Sequence, residues 1–153
     1  MARRSRRSTH ATRGSSSGSR SSSAEPVFLT LDEALAIHAD QIRRYGGLHG
    51  VRDMGLLSSA LAMPQASFGG VYLHTSLAEM AAAYLFHVAQ NHPFVDGNKR
   101  AALAIALVFV WLNDHRLEAV EDELTELVMS LAAGRVGKAD VAVFIGGRLR
   151  PAP

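Results

Sequence analysis

His92-Pro93-Phe94-Val95-Asp96-Gly97-Asn98-Lys99-Arg100 is a polar nonapeptide set between two strongly apolar stretches of a 153-residue chain. Before it, Ser76 and Glu79 have the spacing of a capping box, and Leu77, Met80, Ala81, Tyr84, Leu85 and Val88 recur at the intervals of one helical face. After it, Ala101 to Leu112 is apolar throughout, which predicts a helix starting about Asn98, fading near Asn113 and running through the middle of a bundle. That run is well short of the ~20 residues needed to cross a bilayer, so it reads as a core helix and no membrane partner is expected. Pro93 disfavours a helical conformation at His92, so the first helix should end there, and Gly97 allows a tight backbone where the second begins.

Further out, Thr30 and Glu33 form another capping box ahead of Leu31, Leu35, Ile37, His38 and Ile42, a helix that should stop near Tyr45 at Gly46 and Gly47. A loop runs through Gly50, and Asp53 is placed to cap a short helix carrying Leu56, Leu57, Ala60 and Leu61, stopped by Pro64. Phe68 to Leu73 reads as a glycine-containing connection. Leu124 to Ala132 and Ala139 to Ile145 read as further helices, although Val141, Val143 and Ile145 also alternate as a strand would. The fold class is therefore all-α, a small bundle around a central apolar helix.

Composition fits one globular domain, with 48% hydrophobic and 20% charged residues. The absence of cysteine excludes disulfides, thiolate metal sites and cysteine nucleophiles, and fits the cytoplasm. The net charge of +2 hides an asymmetry: residues 1–24 hold six arginines and no acid, leaving ten basic against fourteen acidic residues in the rest, a net −4. Residues 1–25 read as a disordered Arg/Ser-rich tail and 26–150 as the folded domain; the tail's composition would also suit a nucleic-acid arm or a transit peptide.

Chemistry concentrates in the nonapeptide. The first N–H groups of the second helix, around Gly97, Asn98 and Lys99, lack intrahelical acceptors and sit at the positive end of the helix dipole, which makes an anion site. Lys99 and Arg100 add two cations to that turn, and phosphate is the obvious anion. Asp96 is placed to hold a magnesium ion bridging phosphate oxygens. His92 can take a proton from an attacking hydroxyl near neutral pH. Taken singly, His92 reads more readily as a helix cap or core hydrogen-bond donor, Asp96 as an N-cap, Lys99 and Arg100 as solvated charge, and Phe94 as a hydrophobic plug. Their order is what matches phosphoryl or nucleotidyl transfer. His38, His49, His74 and His115 read as structural or surface residues, and a metal pair of His87 with His92 lacks a third ligand.

The nonapeptide resembles the signature of the Fido superfamily, which groups Fic proteins with death-on-curing (Doc) toxins. It follows the Fic pattern His-Pro-Phe-x-Asp/Glu-Gly-Asn-Gly-Arg except at Lys99, where Doc toxins also have lysine, and Leu103 stands where Fic proteins carry a second arginine. The likeness extends through Leu29 to Tyr45, Tyr45 to Asp53, Leu77 to Gln90 and Ala101 to Asn113. It implies an all-helical fold, which favours helix after Ala139. It also implies His92 as catalytic general base, Asp96 as magnesium ligand, and Gly97, Asn98, Lys99 and Arg100 as the nucleotide phosphate site. The activity it implies is transfer of the terminal phosphate of ATP to a threonine of a translation factor, elongation factor Tu, under control of a small antitoxin protein. A Fic-like AMP transferase is the runner-up, and a non-catalytic or nucleic-acid-binding regulator acting through the tail is a third reading. Thr75 and Glu79 partly match a self-inhibitory Fic helix, but Met80 breaks that pattern, so an external antitoxin is expected.

Overall fold

A computed structural model describes residues 25–153. The tail expected over residues 1–25 lies outside the described residues but for Glu25, whose carboxylate accepts a hydrogen bond from the Tyr72 hydroxyl at 3.1 Å. Six helices are described: α1 Leu31–Tyr45, α2 Met54–Ala62, α3 Leu77–Asn91, α4 Asn98–Leu112, α5 Glu121–Ala132 and α6 Lys138–Arg148. None is long and apolar enough to cross a membrane.

The caps fall where side-chain chemistry demands them. Thr30 Oγ1 accepts from Glu33 N at 3.1 Å while Glu33 Oε1 accepts from Thr30 N at 2.9 Å, and Asp53 Oδ1 accepts from Leu56 N at 2.9 Å. At α3, Ser76 Oγ accepts from Glu79 N, but Glu79 Oε1 accepts one residue early, from Thr75 N at 2.7 Å and Thr75 Oγ1 at 3.2 Å. Glu79 is thereby committed to holding the start of its own helix.

Helices α3 and α4 form the centre. Ala81, Ala82 and Ala83 on one and Ala101, Ala102 and Ala106 on the other are all buried, and these small side chains let the two backbones lie close. Tyr84 and Phe109, with ring centroids 4.9 Å apart, fill the space beside them, and the Tyr84 hydroxyl accepts from Leu29 N at 2.9 Å, tying the start of the described chain to the core. One stripe of α4 reaches the surface, ending in Trp111, which is 58% exposed. In α6 the strand-or-helix ambiguity resolves through burial: Val141 and Ile145 are buried while Val143 is 77% exposed, which is helical spacing and not alternation.

Two pairs of short strands depart from a purely helical reading. Ser67–Phe68 (β1) and Val71–Tyr72 (β2) form an antiparallel hairpin over Gly69 and Gly70, whose φ values of 62° and 81° suit a two-residue hairpin turn. This replaces the plain connection expected from Phe68 to Leu73. His115–Leu117 (β3) pairs with Leu149–Pro151 (β4), His115 opposite Pro151 and Leu117 opposite Leu149, closing the end of the chain onto the end of α4.

Behind the hairpin, Lys138 Nζ lies 3.2 Å from His74 Nε2 and 3.1 Å from His87 Nε2. Burial, then the Lys138 and His74 charges, push the His87 imidazole down to about 4. Burial and Lys138 lower His74 in the same way, against an opposing pull from Glu79 and the Met63 carbonyl. An unfolded chain binds these protons near ~6.5 while the folded chain resists them, so the stability present above ~6.5 drains away as pH falls toward the depressed folded value. The melting temperature is expected to drop between pH 7 and about 4.5, and His87→Gln to flatten that slope. An equally steep profile in the variant would assign the acid sensitivity to other groups.

Candidate active site

The loop between α3 and α4 is built by three neighbours. His92 closes α3 in the left-handed region, at φ 47° and ψ 56°, with its side chain exposed. That conformation costs a non-glycine residue about 1–2 kcal/mol. The segment Gly50–Asp53 runs alongside, with Val51 bridged to Phe94, Val95 N donating to Gly50 O at 3.0 Å, and Arg52 N and Asp53 N donating to Pro93 O at 2.7 and 3.1 Å. The Arg52 guanidinium adds Nε to His92 O at 2.7 Å and Nη2 to Asn91 O at 2.9 Å.

Phe94 is the plug expected of it, 1% exposed, a burial contributing about 1.5–3 kcal/mol. Its ring stacks flat on His38, with centroids 3.9 Å apart and planes 1° from parallel. His38, itself buried, donates from Nε2 to the Asp96 carbonyl at 2.8 Å; a carbonyl only accepts, so the proton sits on Nε2. The Asn98 side chain clasps the same loop, accepting from Phe94 N at 2.8 Å and donating to Phe94 O at 3.0 Å. What Asn98 turns toward an anion is therefore its backbone N–H, since its amide is spent on the fold.

Asp96 is not the N-cap of α4; that position is Gly97, at φ 72°. Its carboxylate instead accepts from Leu48 N through Oδ2 at 3.0 Å and from Gly97 N through Oδ1 at 2.9 Å. The Leu48 and Gly97 N–H groups, with the Arg100 charge behind them, hold Asp96 below the usual carboxylate range. A carboxylate that is exposed, charged and engaged once at each oxygen keeps lone pairs for a hard cation, so it fits a magnesium ligand. Gly47 makes this possible: at φ 119° a Cβ there would stand 2.8 Å from Asp96 Oδ2.

The anion site is narrower than the bare motif implies. Gly97 N–H is taken by Asp96, and the first intrahelical bond is Ala101 N to Gly97 O, so the N–H groups of Asn98, Lys99 and Arg100 remain without intrahelical acceptors. Arg100 leans back, Nη1 donating to Gly46 O at 3.2 Å with its guanidinium 5.4 Å from the Tyr45 ring centroid. Lys99 is exposed and, among the described residues, makes no hydrogen bond or ion pair. The loop thus gathers His92, Asp96, Gly97, Asn98, Lys99 and Arg100 on nine consecutive residues, open to solvent. A groove of about 260 Å³ between α5 and α6, lined by Glu123, Leu127 and Phe144, holds none of them.

Fold and loop together define a helical scaffold that presents an imidazole, a carboxylate and a cationic helix N-terminus from one connection. Residues 28–110, more than half of the chain, match the Fic/DOC family, and the chain belongs to it. It is similar to a protein named Toxin Doc from Mycolicibacterium smegmatis, 48% identical over 75 residues that cover 49% of this chain and 58% of that one. It is also similar to a protein named Protein kinase doc from Escherichia phage P1, 36% identical over 111 residues that cover 72% of this chain and 86% of that one.

Proposed function

We propose that the protein is a Doc-type toxin that transfers the terminal phosphate of ATP to a hydroxyl of a target protein. The observation that carries this reading is the first turn of α4, where an uncommitted Lys99 replaces the glycine of AMP-transferring Fic proteins beside free backbone N–H groups. Likeness to a relative named as a protein kinase, across 72% of this chain, supports the same reaction. The target hydroxyl oxygen attacks the γ-phosphorus, the bond from phosphorus to the ADP oxygen breaks, ADP leaves, and the hydroxyl proton passes to His92. Backbone N–H groups of Asn98 and Lys99, the Lys99 ammonium and Arg100 hold phosphate oxygens. Asp96 would hold magnesium, which when bound neutralises phosphate charge.

The proposed target is a threonine of elongation factor Tu, which would arrest translation in the cytoplasm. The proposed regulator is a separate antitoxin, a partner type supported by the relative named Toxin Doc; the carboxylate of Glu79, the residue a self-inhibitory helix would need, is engaged by Thr75. Purified protein incubated with elongation factor Tu, magnesium and labelled ATP tests the reaction. Label from the γ-phosphate on the target supports kinase chemistry; label from the α-phosphate would replace it with AMP transfer. No label from either, with DNA binding that disappears on deleting residues 1–24, would favour the regulator reading.

A further inference from the structure

Three consecutive carbonyls of the segment carrying His92 accept from Arg52, the third of them shared with Asp53 N. Arg52 Nη2 donates to Asn91 O at 2.9 Å, Arg52 Nε to His92 O at 2.7 Å, and Arg52 N to Pro93 O at 2.7 Å. No other side chain among the described residues bonds the Asn91 or His92 carbonyl. Between these anchors His92 sits at φ 47°, a left-handed conformation that persists only where its surroundings over-determine it. The guanidinium also faces the negative, carbonyl end of α3, and its hydrogen bonds are charge-assisted.

The other half of the loop is held by different residues. His38 fixes the Asp96 carbonyl, the Leu48 N–H fixes the Asp96 carboxylate, and Arg100 is tied to Gly46. Helix α1 and the turn after it therefore set the phosphate side, and Arg52 sets the histidine side.

We infer that Arg52 is a positioning residue that holds His92 in its left-handed backbone conformation and so aims the imidazole at the attacking hydroxyl. The inference rests on the reading of His92 as the base. Arg52 touches neither nucleotide nor target in this scheme; it acts through the His92 backbone. Its planar fork spans two adjacent carbonyls, whereas a lysine ammonium on a flexible stem is a point donor suited to one.

The test compares the full chain with Arg52→Ala and Arg52→Lys, reading three quantities: γ-phosphate transfer to elongation factor Tu, ATP affinity by calorimetry, and the His92 ring resonances in isotope-labelled protein. Arg52→Ala is expected to lower kcat by about 10- to 100-fold, the scale of a misplacement near 1 Å, with ATP affinity within about twofold of wild type and the His92 resonances shifted. Arg52→Lys should recover part of kcat. A purely structural role would instead lower ATP affinity and melting temperature along with kcat. If Arg52→Ala does not fold, Arg52→Lys decides: kcat reduced at unchanged ATP affinity supports positioning, and wild-type kcat overturns it. Should the wild-type protein transfer no phosphate, the functional reading fails separately, and His92 resonances unmoved by Arg52→Lys would still overturn the positioning role.

Discussion

His92→Ala is expected to reduce phosphate transfer by about 10²- to 10⁴-fold, the contribution of a well-placed general base, and to abolish growth arrest on induction. The fold should survive, because the side chain is exposed and no core volume is removed. One complication follows from the backbone: His92 is left-handed at φ 47°, a region that histidine and asparagine enter more readily than alanine. His92→Ala should therefore lose a little stability as well as the base, within about 1–2 kcal/mol. His92→Asn separates the effects, since its amide tolerates the same backbone conformation yet cannot take up the hydroxyl proton. Both variants should be inactive in the γ-label assay, with His92→Asn melting closer to wild type. Full transfer by His92→Asn would remove the imidazole from the mechanism.

Much of this is legible in the sequence because the signals are local. Capping residues such as Thr30 with Glu33, or Asp53 ahead of Leu56, act within one turn, so their spacing alone locates a helix start. The loop from His92 to Arg100 is legible as a candidate site for the same reason, since its polar and charged residues fall within nine positions. What escaped the sequence is interaction through the backbone or across long separations. Arg52 was only part of a familiar-looking stretch, because its partners are main-chain carbonyls 39 and 40 residues away, which leave no trace in residue type. His38 read as one more structural or surface histidine; its Asp96 partner is again a carbonyl, 58 residues on. Hairpin β1–β2 has strands of two residues, too short for alternation to show, and β3 finds β4 across two intervening helices. Asn98 is the most instructive case: the family resemblance assigns it to the phosphate site, and geometry spends its amide on Phe94.

Lys99→Gly carries the other large effect and bears on which phosphate reacts. Lys99 and Arg100 are adjacent, but successive helical residues point about 100° apart, and the two are used differently. Arg100 is bound to Gly46 O and lies over Tyr45, while the exposed Lys99 is free to reach a phosphate. On the proposed reaction its ammonium serves the transferring group, so removing it should cut γ-phosphate transfer by about 10²- to 10³-fold, as losing one preorganised donor does. Glycine near the start of α4 costs at most about 1 kcal/mol in helix propensity, so a large loss of rate with a near-normal melting temperature would be electrostatic in origin. The vacated space beside the Asn98 and Arg100 N–H groups could then seat two phosphates, leaving the α-phosphorus toward His92. Gain of AMP transfer needs more than space, because Leu103 supplies no guanidinium; the double variant Lys99→Gly, Leu103→Arg is the one expected to show it. Mass spectrometry of the target distinguishes the additions directly, and phosphate added by Lys99→Gly at the wild-type rate would show that Lys99 does not govern the reaction.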